Sequence, residues 1–330
     1  MKGLEVSKKF YKEFGEKMLC ENFSEIKNKI SVGLIGAGSE CFSYDDDVST
    51  DHDFDPGFLM FIPDDFDDKT IFKLEHAYSK LPKEFMGYKR NALNPVGGNR
   101  RGVKKISDFL YEKTGSRDGN LTLYDYLKIP EESLAEVVNG EIWSDESKVL
   151  TKIRLKLMVL PDDIRLKKLA GEILLMAQAG QYNFKRCIEH SEYGAAKLAL
   201  YEFIKSTIHA TFLLNEVYMP YYKWQFRALR DLSWPNALMT EKITNGRDVD
   251  EFNNMSFEDK LIYFLNLDKE DIKSTIVLKR IEKIAEIFIN RLKKDMLSIS
   301  PSNYLEPHAY EINNKIKNND LRNMHILAAV

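Results

Sequence analysis

The chain has 330 residues, of which 44% are hydrophobic and 30% are charged, with 17 Gly and 10 Pro. These proportions are typical of a globular protein with a sizeable core and exclude a fibrous or disordered chain. A formal net charge of −3 gives no global positive field, so we do not expect binding of long DNA. No stretch approaches the roughly 18 unbroken apolar residues of a membrane helix, and the N-terminus is unlike a secretory signal. We expect a cytoplasmic protein without a membrane partner.

The cysteines are Cys20, Cys41 and Cys187, and none belongs to a CxxC pair. This number and spacing argue against a disulfide framework and against a zinc ribbon. We therefore expect reduced thiols, and we interpret Cys41 as a buried packing group because no base is evident nearby.

Helices and strands alternate in the first part of the chain. Residues 4–27 carry apolar side chains at helical spacing and predict an amphipathic helix. The apolar run that begins at Ile30 ends in glycines, which predicts a strand that enters a tight turn. A second strand is predicted within residues 51–62, and a helix over 67–81. This order indicates a small mixed α/β unit.

The pattern of apolar residues changes in the second part of the chain. Residues 86–146 are predicted to be the least regular part, whereas almost wholly apolar helical periodicity follows over 195–214 and continues over 277–292. The predicted fold class is therefore α+β. We place a small mixed-sheet domain at residues 1–147 and a helical bundle at residues 148–330.

The densest chemistry lies in an acidic segment, residues 45–55, where six aspartates occupy eleven positions. Such crowding costs free energy unless the carboxylates are solvated, protonated or neutralised by a cation, and one interpretation is a hydrated loop. Asp51 and Asp53, two residues apart before an apolar strand, would lie on one face and bind divalent cations. The preceding Gly38 and Ser39 end a predicted strand, where glycine lets backbone N–H groups converge on a phosphate. Together these features predict metal-assisted phosphoryl or nucleotidyl transfer.

Competing phosphate and cation motifs fail on spacing. Ser39-Glu40 stands where a Walker loop needs Lys-Ser/Thr, and Cys41 replaces the third glycine of the dinucleotide fingerprint. Pro56 replaces the invariant glycine of an EF-hand that would begin at Asp51. The carboxylate pair remains the main signal.

An apolar strand, Gly38-Ser39, about a dozen residues and then Asp51-x-Asp53 resemble the defining pattern of the DNA polymerase β-like nucleotidyltransferase superfamily. Kanamycin and lincosamide nucleotidyltransferases belong to that superfamily. The chain is similar more narrowly to an uncharacterised bacterial branch. This narrower similarity covers most of the chain, at Gly38–Cys41, Asp51–Asp53, Gly140–Asp145, Gly180–Arg186, Pro220–Trp224 and Leu305–His308.

The resemblance implies roles for these residues. Gly38 and Ser39 would hold the β- and γ-phosphates of a nucleoside triphosphate, and Asp51 and Asp53 would bind two Mg²⁺ ions, with Mn²⁺ as an alternative. His52 lies between the two aspartates and should point to the opposite face of the strand, so we interpret it as a core histidine.

The superfamily usually adds a third carboxylate from a later strand. Asp108 and Asp145 are the candidates, and Asp145 is preferred. It would hold the second metal ion or deprotonate the acceptor.

Two polar clusters in the helical half are candidates for ligand contact. They comprise Gln181, Tyr182, Asn183 and Arg186 at the end of an apolar helix, and Tyr222 and Lys223 after Pro220. Helix-end capping and surface aromatics are the alternative interpretation. On the functional interpretation, Arg186 and Lys223 bind phosphate, whereas the other four contact the acceptor. Residues 99–105 form a basic turn, which is either solvated or a contact for RNA or substrate phosphate.

The leading hypothesis is a nucleotidyltransferase that transfers a nucleoside monophosphate to a hydroxyl group of a small-molecule acceptor and releases pyrophosphate. A protein or a tRNA end is an alternative acceptor. A second hypothesis is a catalytically silent nucleotide-binding or ligand-binding module of the same fold. An RNA-cleaving toxin is disfavoured because Arg186 and His190 are too close for the Arg-x4-6-His spacing of such nucleases.

Overall fold

The structure is a computed structural model that describes residues 1–46, 55–90, 100–235 and 251–330. The chain divides into two compact units, Met1–Val159 and Leu160–Val330. The N-terminal unit contains a small mixed sheet and helices, and the other unit is helical throughout its described residues apart from loops and turns. The predicted α+β class is confirmed.

The N-terminal unit is built on a four-stranded sheet with a separate two-stranded ribbon. The strands are β1 (Ser31–Leu34), β2 (Leu59–Ile62), β3 (Glu84–Phe85), β4 (Tyr88–Lys89), β5 (Gly102–Lys105) and β6 (Glu141–Ser144). The order in the sheet is β5-β2-β1-β6, and β3 pairs with β4. β1 runs antiparallel to β2 and β6, whereas β2 and β5 are parallel. The end of β1 and the beginnings of β2 and β5 therefore lie at the same edge of the sheet.

Helices surround this sheet. They are α1 (Gly3–Phe10) and α2 (Glu16–Asn22), joined by a π-helical turn, then α3 (Asp68–Ser79), α4 (Ile106–Thr114), α5 (Leu123–Lys128), α6 (Glu131–Val138) and α7 (Val149–Leu157). The core includes Phe10 of α1, Val32 of β1, Met60 of β2 and Leu74 of α3, together with Phe58, which directly precedes β2. The helix predicted over 67–81 is confirmed as α3, and the helix predicted over 4–27 is confirmed as far as Asn22, where α2 ends.

Residues 86–146 contain the short strands β4, β5 and β6, as their strand-like pieces predict, but the expected irregularity is wrong where α4, α5 and α6 lie. These helices are short and depend on local capping. Thr122 begins α5 with a capping box to Asp125, and Gly115 ends α4 in a left-handed conformation with a φ of 74°. Such short helices have too few turns to show a clear apolar period.

The N-terminal unit extends through α7. Leu150 and Leu157 of α7 are fully buried, and Arg154 bonds the end of α6. The division between the two units therefore falls after Val159. The predicted boundary after residue 147 was based on the change in the pattern of apolar residues, and this change comes before α7.

The second unit is a bundle. Its helices are α8 (Asp162–Met176), a π-helix (Ala177–Phe184), α9 (Lys185–Glu189), α10 (Tyr193–Leu214), α11 (Gln225–Asp231), α12 (Glu251–Asn254), α13 (Phe257–Leu265), α14 (Thr275–Lys294), α15 (Leu305–Asn314) and α16 (Asn319–Asn323). α8 packs against α10 and α15. The helices predicted over 195–214 and 277–292 are confirmed. Over the described ranges, no helix combines the length and apolar character that crossing a bilayer requires.

Candidate functional site

A glycine turn follows β1 and is the described feature that best fits a phosphate. Gly36 and Gly38 have φ angles of 104° and 127°, which residues with side chains rarely adopt. A Cβ atom at Gly38 would lie 2.6 Å from a carboxylate oxygen of Glu40. In the part of the chain that the structure describes, the N–H groups of Gly38 and Ser39 donate no hydrogen bond, and both residues are half-exposed. These donors are therefore available to an anion.

Asn139 and Gly140 hold this turn in place. The Oδ1 atom of Asn139 accepts a hydrogen bond from the Gly36 N–H, and its Nδ2 group donates to the Gly36 carbonyl, both at 2.8 Å. The Gly140 N–H donates to the carbonyl of Cys41 at 2.8 Å. A Cβ atom at Gly140 would lie 2.0 Å from the Leu34 carbonyl oxygen, so this close approach requires glycine. Both ends of the turn are thus fixed by the loop before β6.

Arg154 of α7 supports that loop. Its guanidinium donates to the carbonyl oxygens of Val137 and Val138 at 2.9 Å each, and also to the carbonyl of Asn139. These carbonyls end α6, where the helix supplies no backbone partner. Burial lowers the pKa of Arg154. Arg154 therefore acts on the glycine turn through Asn139.

A buried ion pair joins the same turn to Arg101, the residue that precedes β5. Nη2 of Arg101 lies 3.0 Å from Oε1 of Glu40, and the two side chains are only 9% and 5% exposed. Nη2 also donates to the carbonyl of Asp55 at 3.3 Å. Burial acts to lower the pKa of Arg101, but the Glu40 carboxylate outweighs it and the pKa is raised. The expectation of a solvated basic turn over 99–105 is therefore wrong at Arg101.

The acidic segment is described only at its two ends. Asp51 and Asp53, and His52 between them, lie outside the described residues. Asp45 is buried and accepts a hydrogen bond from the Gly3 N–H at 2.7 Å, at the start of α1, where a helix favours negative charge. Among the residues whose placement is described, no group of three or more His, Cys, Asp or Glu is arranged to hold a metal ion. Metal binding by the aspartate pair stays a prediction.

Asp145, the preferred third carboxylate, lies between β6 and α7. Its Oδ1 accepts hydrogen bonds from the hydroxyls of Ser31 at 2.9 Å and Ser147 at 3.1 Å. Its Oδ2 accepts from the N–H and the hydroxyl of Thr151 at 2.8 and 2.6 Å. Burial acts to raise the pKa of Asp145, but these bonds outweigh it and the pKa is lowered. A metal ion would have to displace these donors, so the arrangement favours a structural brace.

Asp108, the other candidate, lies in α4. It is exposed and forms an ion pair with Arg117 at 2.8 Å. β5, the neighbour of β2, consists of Gly102–Lys105 and contains no carboxylate. The strand beside β2 therefore supplies no third carboxylate.

Cys41 follows the glycine turn and is 3% exposed. Burial raises the pKa of the Cys41 thiol. A thiol that ionises with such difficulty is a poor nucleophile, so the predicted packing role is confirmed.

Gln181 lies on the π-helix of the second unit and bonds two other parts of that unit. Its Nε2 donates to Oε2 of Glu282 at 2.6 Å and to the Asn303 carbonyl at 3.2 Å. Its Oε1 accepts from the Leu305 N–H at 2.8 Å. Both ends of the amide thus contribute to packing of the π-helix against α14 and the start of α15.

The other candidates on the π-helix and α9 are exposed. Arg186 donates to the Tyr182 hydroxyl, and its guanidinium carbon lies 5.1 Å from the centre of that ring. Asn183 is exposed next to them. The structure therefore brings Tyr182 and Arg186 together as a cation–π pair.

Two further contacts between neighbouring side chains follow α10: a contact between two tyrosine rings and a cation–π pair. Tyr222 is 70% exposed, and its ring centre lies 4.4 Å from that of Tyr221. Nζ of Lys223 lies 5.0 Å from the ring centre of Trp224. Aromatic rings and cations at a surface can contact planar or anionic ligands.

A protein-family profile described as "Domain of unknown function (DUF4037)" matches residues 126–225. The match includes Asn139, Asp145 and Arg154 of the N-terminal unit, and it continues into the helical unit through Lys223. Comparison with curated proteins and with solved structures finds no match.

Four residues that shape the turn had no role in the sequence-based site: Glu40, Arg101, Asn139 and Arg154. Two of them carry a local signal. Glu40 directly follows Gly38-Ser39, and Asn139-Gly140 is a dipeptide typical of tight turns. Arg101 and Arg154 resemble ordinary surface cations in sequence, because their partners are distant along the chain.

Proposed function

We propose that the protein is a metal-dependent nucleotidyltransferase that transfers a nucleoside monophosphate from a nucleoside triphosphate to a hydroxyl group of a small-molecule acceptor. One observation carries this proposal. The buried guanidinium of Arg101 bonds Glu40 beside the glycine turn and the carbonyl of Asp55 at the end of the acidic segment. Arg101 therefore links the glycine turn to the end of the acidic segment, which supports a site that includes both.

The glycine turn would bind the phosphates of the donor. The N–H groups of Gly38 and Ser39 and the Ser39 hydroxyl would donate to oxygens of the β- and γ-phosphates. Asn139 and Gly140 hold the two ends of the turn, which supports a phosphate site that is formed before the ligand binds. A preorganised donor set loses little free energy on binding.

Asp51 and Asp53 would hold the metal ions, since carboxylate oxygens are the ligands that Mg²⁺ and Mn²⁺ prefer. Bound Mg²⁺ would neutralise charge on the phosphates and on the leaving pyrophosphate. The antiparallel pairing of β1 and β2 supports this arrangement, because the strand that ends at the turn lies beside the strand that follows the aspartates.

The reaction is a substitution at the α-phosphorus. The acceptor oxygen forms a bond to this phosphorus, and the bond from it to the oxygen that bridges to the β-phosphorus breaks. Pyrophosphate leaves with the bonding electrons, and a carboxylate of the acidic segment takes the hydroxyl proton. The turn residues stabilise the negative charge that develops on pyrophosphate.

The helical unit presents exposed aromatic and cationic side chains of its own, and such groups can bind planar or anionic ligands. The contacts of Arg186 and Lys223 with phosphate, and of Tyr182, Asn183 and Tyr222 with the acceptor, stay predictions from the sequence. Gln181 would support these contacts by fixing the π-helix, because both ends of its amide are bonded within the unit.

A second candidate is a nucleotide-binding module without catalysis. The hydrogen bonds that occupy Asp145 and the absence of a carboxylate from β5 favour it. Such a module would bind a nucleotide at the same turn and transfer nothing.

Thermal unfolding with each of ATP, GTP, CTP and UTP, with and without Mg²⁺, tests the proposal. Ligand at about a hundred times its dissociation constant should stabilise the protein by about 2.7 kcal/mol. We expect a Mg²⁺-dependent stabilisation that Asp51→Asn with Asp53→Asn abolishes. The control Asp65→Asn with Asp68→Asn removes two exposed carboxylates and should retain it. No stabilisation of the wild type by any of the four nucleotides would refute the proposal.

Transfer is measured with a bound nucleotide that carries label in the α-phosphate. Label that appears in small polyhydroxylated compounds supports the proposed acceptor class, whereas label in tRNA or in protein assigns those acceptors instead. Nucleotide binding without transfer to any of the three supports the silent module.

A further inference from the structure

We infer that Arg101 and Glu40 form a positioning pair that fixes the glycine turn relative to the end of the acidic segment. The inference rests on the proposed function and adds two residues to its site. Neither residue is assigned contact with the nucleotide. Their effect would pass through Gly38 and Asp55.

Arg101 is held along its whole length. A Cβ atom at Gly57 would lie 2.9 Å from Cδ of Arg101 and 2.8 Å from the Tyr78 hydroxyl, so the arginine stem crosses a surface that only glycine leaves free. The Tyr78 hydroxyl itself accepts a hydrogen bond from the Phe58 N–H at 3.2 Å. The stem therefore has a fixed path to the turn.

The Arg101 guanidinium donates hydrogen bonds to three acceptors. It donates to Glu40 at 3.0 Å, to the Asp55 carbonyl at 3.3 Å and to the Arg100 carbonyl at 2.8 Å. Its Nε–H is buried and has no hydrogen-bond partner within the described residues. An unused buried donor costs free energy, which is hard to explain if the arginine serves stability alone.

Glu40 transmits the position of Arg101 to the turn. Its carboxylate lies so near Gly38 that a Cβ atom there would be 2.6 and 2.7 Å from its two oxygens. The carboxylate thus fills the space that a side chain at Gly38 would need, next to the backbone that is proposed to bind phosphate.

Burial of the pair supports a role beyond stability. A buried ion pair is often replaced by apolar residues of similar volume without loss of stability. A carboxylate beside a phosphate turn would also repel the ligand unless a cation neutralised it. Arg101 removes that repulsion and holds the carboxylate in one place.

The test measures dissociation constants for ATP, GTP, CTP and UTP with Mg²⁺ by calorimetry, well below the melting temperature of each variant. The variants are Arg101→Met, Arg101→Lys, Glu40→Gln and the double change Arg101→Met with Glu40→Gln. Lys113→Met is the matched control, because Lys113 forms a half-buried ion pair with Glu136 at 2.7 Å in the same unit.

We expect Arg101→Met and Glu40→Gln each to weaken binding about 10- to 100-fold, which is typical for residues that orient a binding group. The double variant should bind no more weakly than the poorer single variant, since the two residues act as one unit. Arg101→Lys should retain part of the affinity, because an ammonium group can pair with Glu40 but lacks the second guanidinium nitrogen, which donates to the Arg100 carbonyl. The control should bind as the wild type does.

Unchanged affinity in the folded variants would overturn the positioning role while the proposed function stands. If Arg101→Met loses affinity while Glu40→Gln keeps the full affinity, then Arg101 only neutralises the charge of Glu40. This result would also overturn the positioning role. Failure of the wild type to bind any of the four nucleotides would remove both proposals. If Arg101→Met does not fold, Glu40→Gln and Arg101→Lys decide the question.

Discussion

The side chain of Asn139 pairs with the backbone of Gly36 as a strand residue would. One hydrogen bond of 2.8 Å runs in each direction between them. In the adjacent ladder, Leu34 of β1 is paired with Glu141 of β6. The amide therefore continues the β1–β6 ladder past the end of the strands and into the glycine turn.

Replacement of Asn139 by alanine leaves an N–H and a carbonyl of Gly36 without these partners. We expect a loss of about 1–3 kcal/mol in the free energy of unfolding of the N-terminal unit, together with weaker nucleotide binding. Urea unfolding and calorimetry measure the two effects. Asn28→Ala, at an exposed position of the same unit, should change neither. A fully stable Asn139→Ala variant would contradict the ladder-like role.

Gly140→Ala and Gly115→Ala separate backbone strain from close approach. Both glycines have positive φ angles, 61° and 74°. Nothing lies within 4 Å of a Cβ atom at Gly115, whereas at Gly140 it would lie 2.0 Å from the Leu34 carbonyl oxygen. We expect Gly115→Ala to cost about 1–2 kcal/mol, the cost of left-handed backbone, and Gly140→Ala to cost clearly more. If urea unfolding shows equal losses of stability for Gly140→Ala and Gly115→Ala, the close approach to Leu34 has no cost of its own, and β6 can move away from β1.

Asp145→Asn should make stability less dependent on pH. The folded-state pKa of Asp145 is lowered, so its ionised form stabilises the fold above the unfolded pKa of about 3.9, and this contribution is lost as the pH falls through the folded pKa. We expect a loss of about 1–3 kcal/mol at neutral pH, which shrinks on acidification. Urea unfolding at several pH values measures it, with Asp65→Asn as the exposed control. Loss of Mg²⁺-nucleotide binding without loss of stability would assign Asp145 to the metal instead.

Gln181→Glu places a second carboxyl group beside Glu282. Burial raises the pKa of Glu282 even though Gln181 donates to it. At acidic pH the introduced carboxyl group is protonated and could still donate, but as the pH rises both groups ionise and repel each other. We expect the stability deficit of this variant to grow with pH, to about 1–3 kcal/mol at neutral pH.

Gln178→Glu is the matched control for this change, because Gln178 is exposed on the same π-helix. It should show no such trend in thermal unfolding measured across pH. A Gln181→Glu variant with normal stability but weak ligand binding would support direct ligand contact by Gln181.

Sequence periodicity predicted the long elements well and the short ones poorly. The helices of residues 3–22, 68–79, 193–214 and 275–294 each bury apolar side chains over several turns, which leaves a repeated apolar signal. α5, by contrast, has six residues and begins at a capping box. Its existence depends on two polar side chains rather than on a period.

The candidate site also has a part that could be predicted from the sequence and a part that could not. Gly38-Ser39 could be identified from sequence because a tight turn after a strand demands local residue types. The bonds of Asn139 to Gly36 and of Arg101 to Glu40 join residues 103 and 61 positions apart. A single sequence holds no signal for such pairs. The bonds that occupy Asp145 were equally hidden, since Ser31 and Thr151 meet it only in the folded chain.

β6 pairs with β1, but the region that matches the family profile contains β6 alone. Residues 126–225 begin inside the N-terminal unit and end inside the helical one. A fragment cut to these limits would carry β6 without β1, and Asn139 without Gly36. Its strand would present an open edge, which invites aggregation. Recombinant work on chains that contain this region should therefore retain the preceding residues from α1 onward.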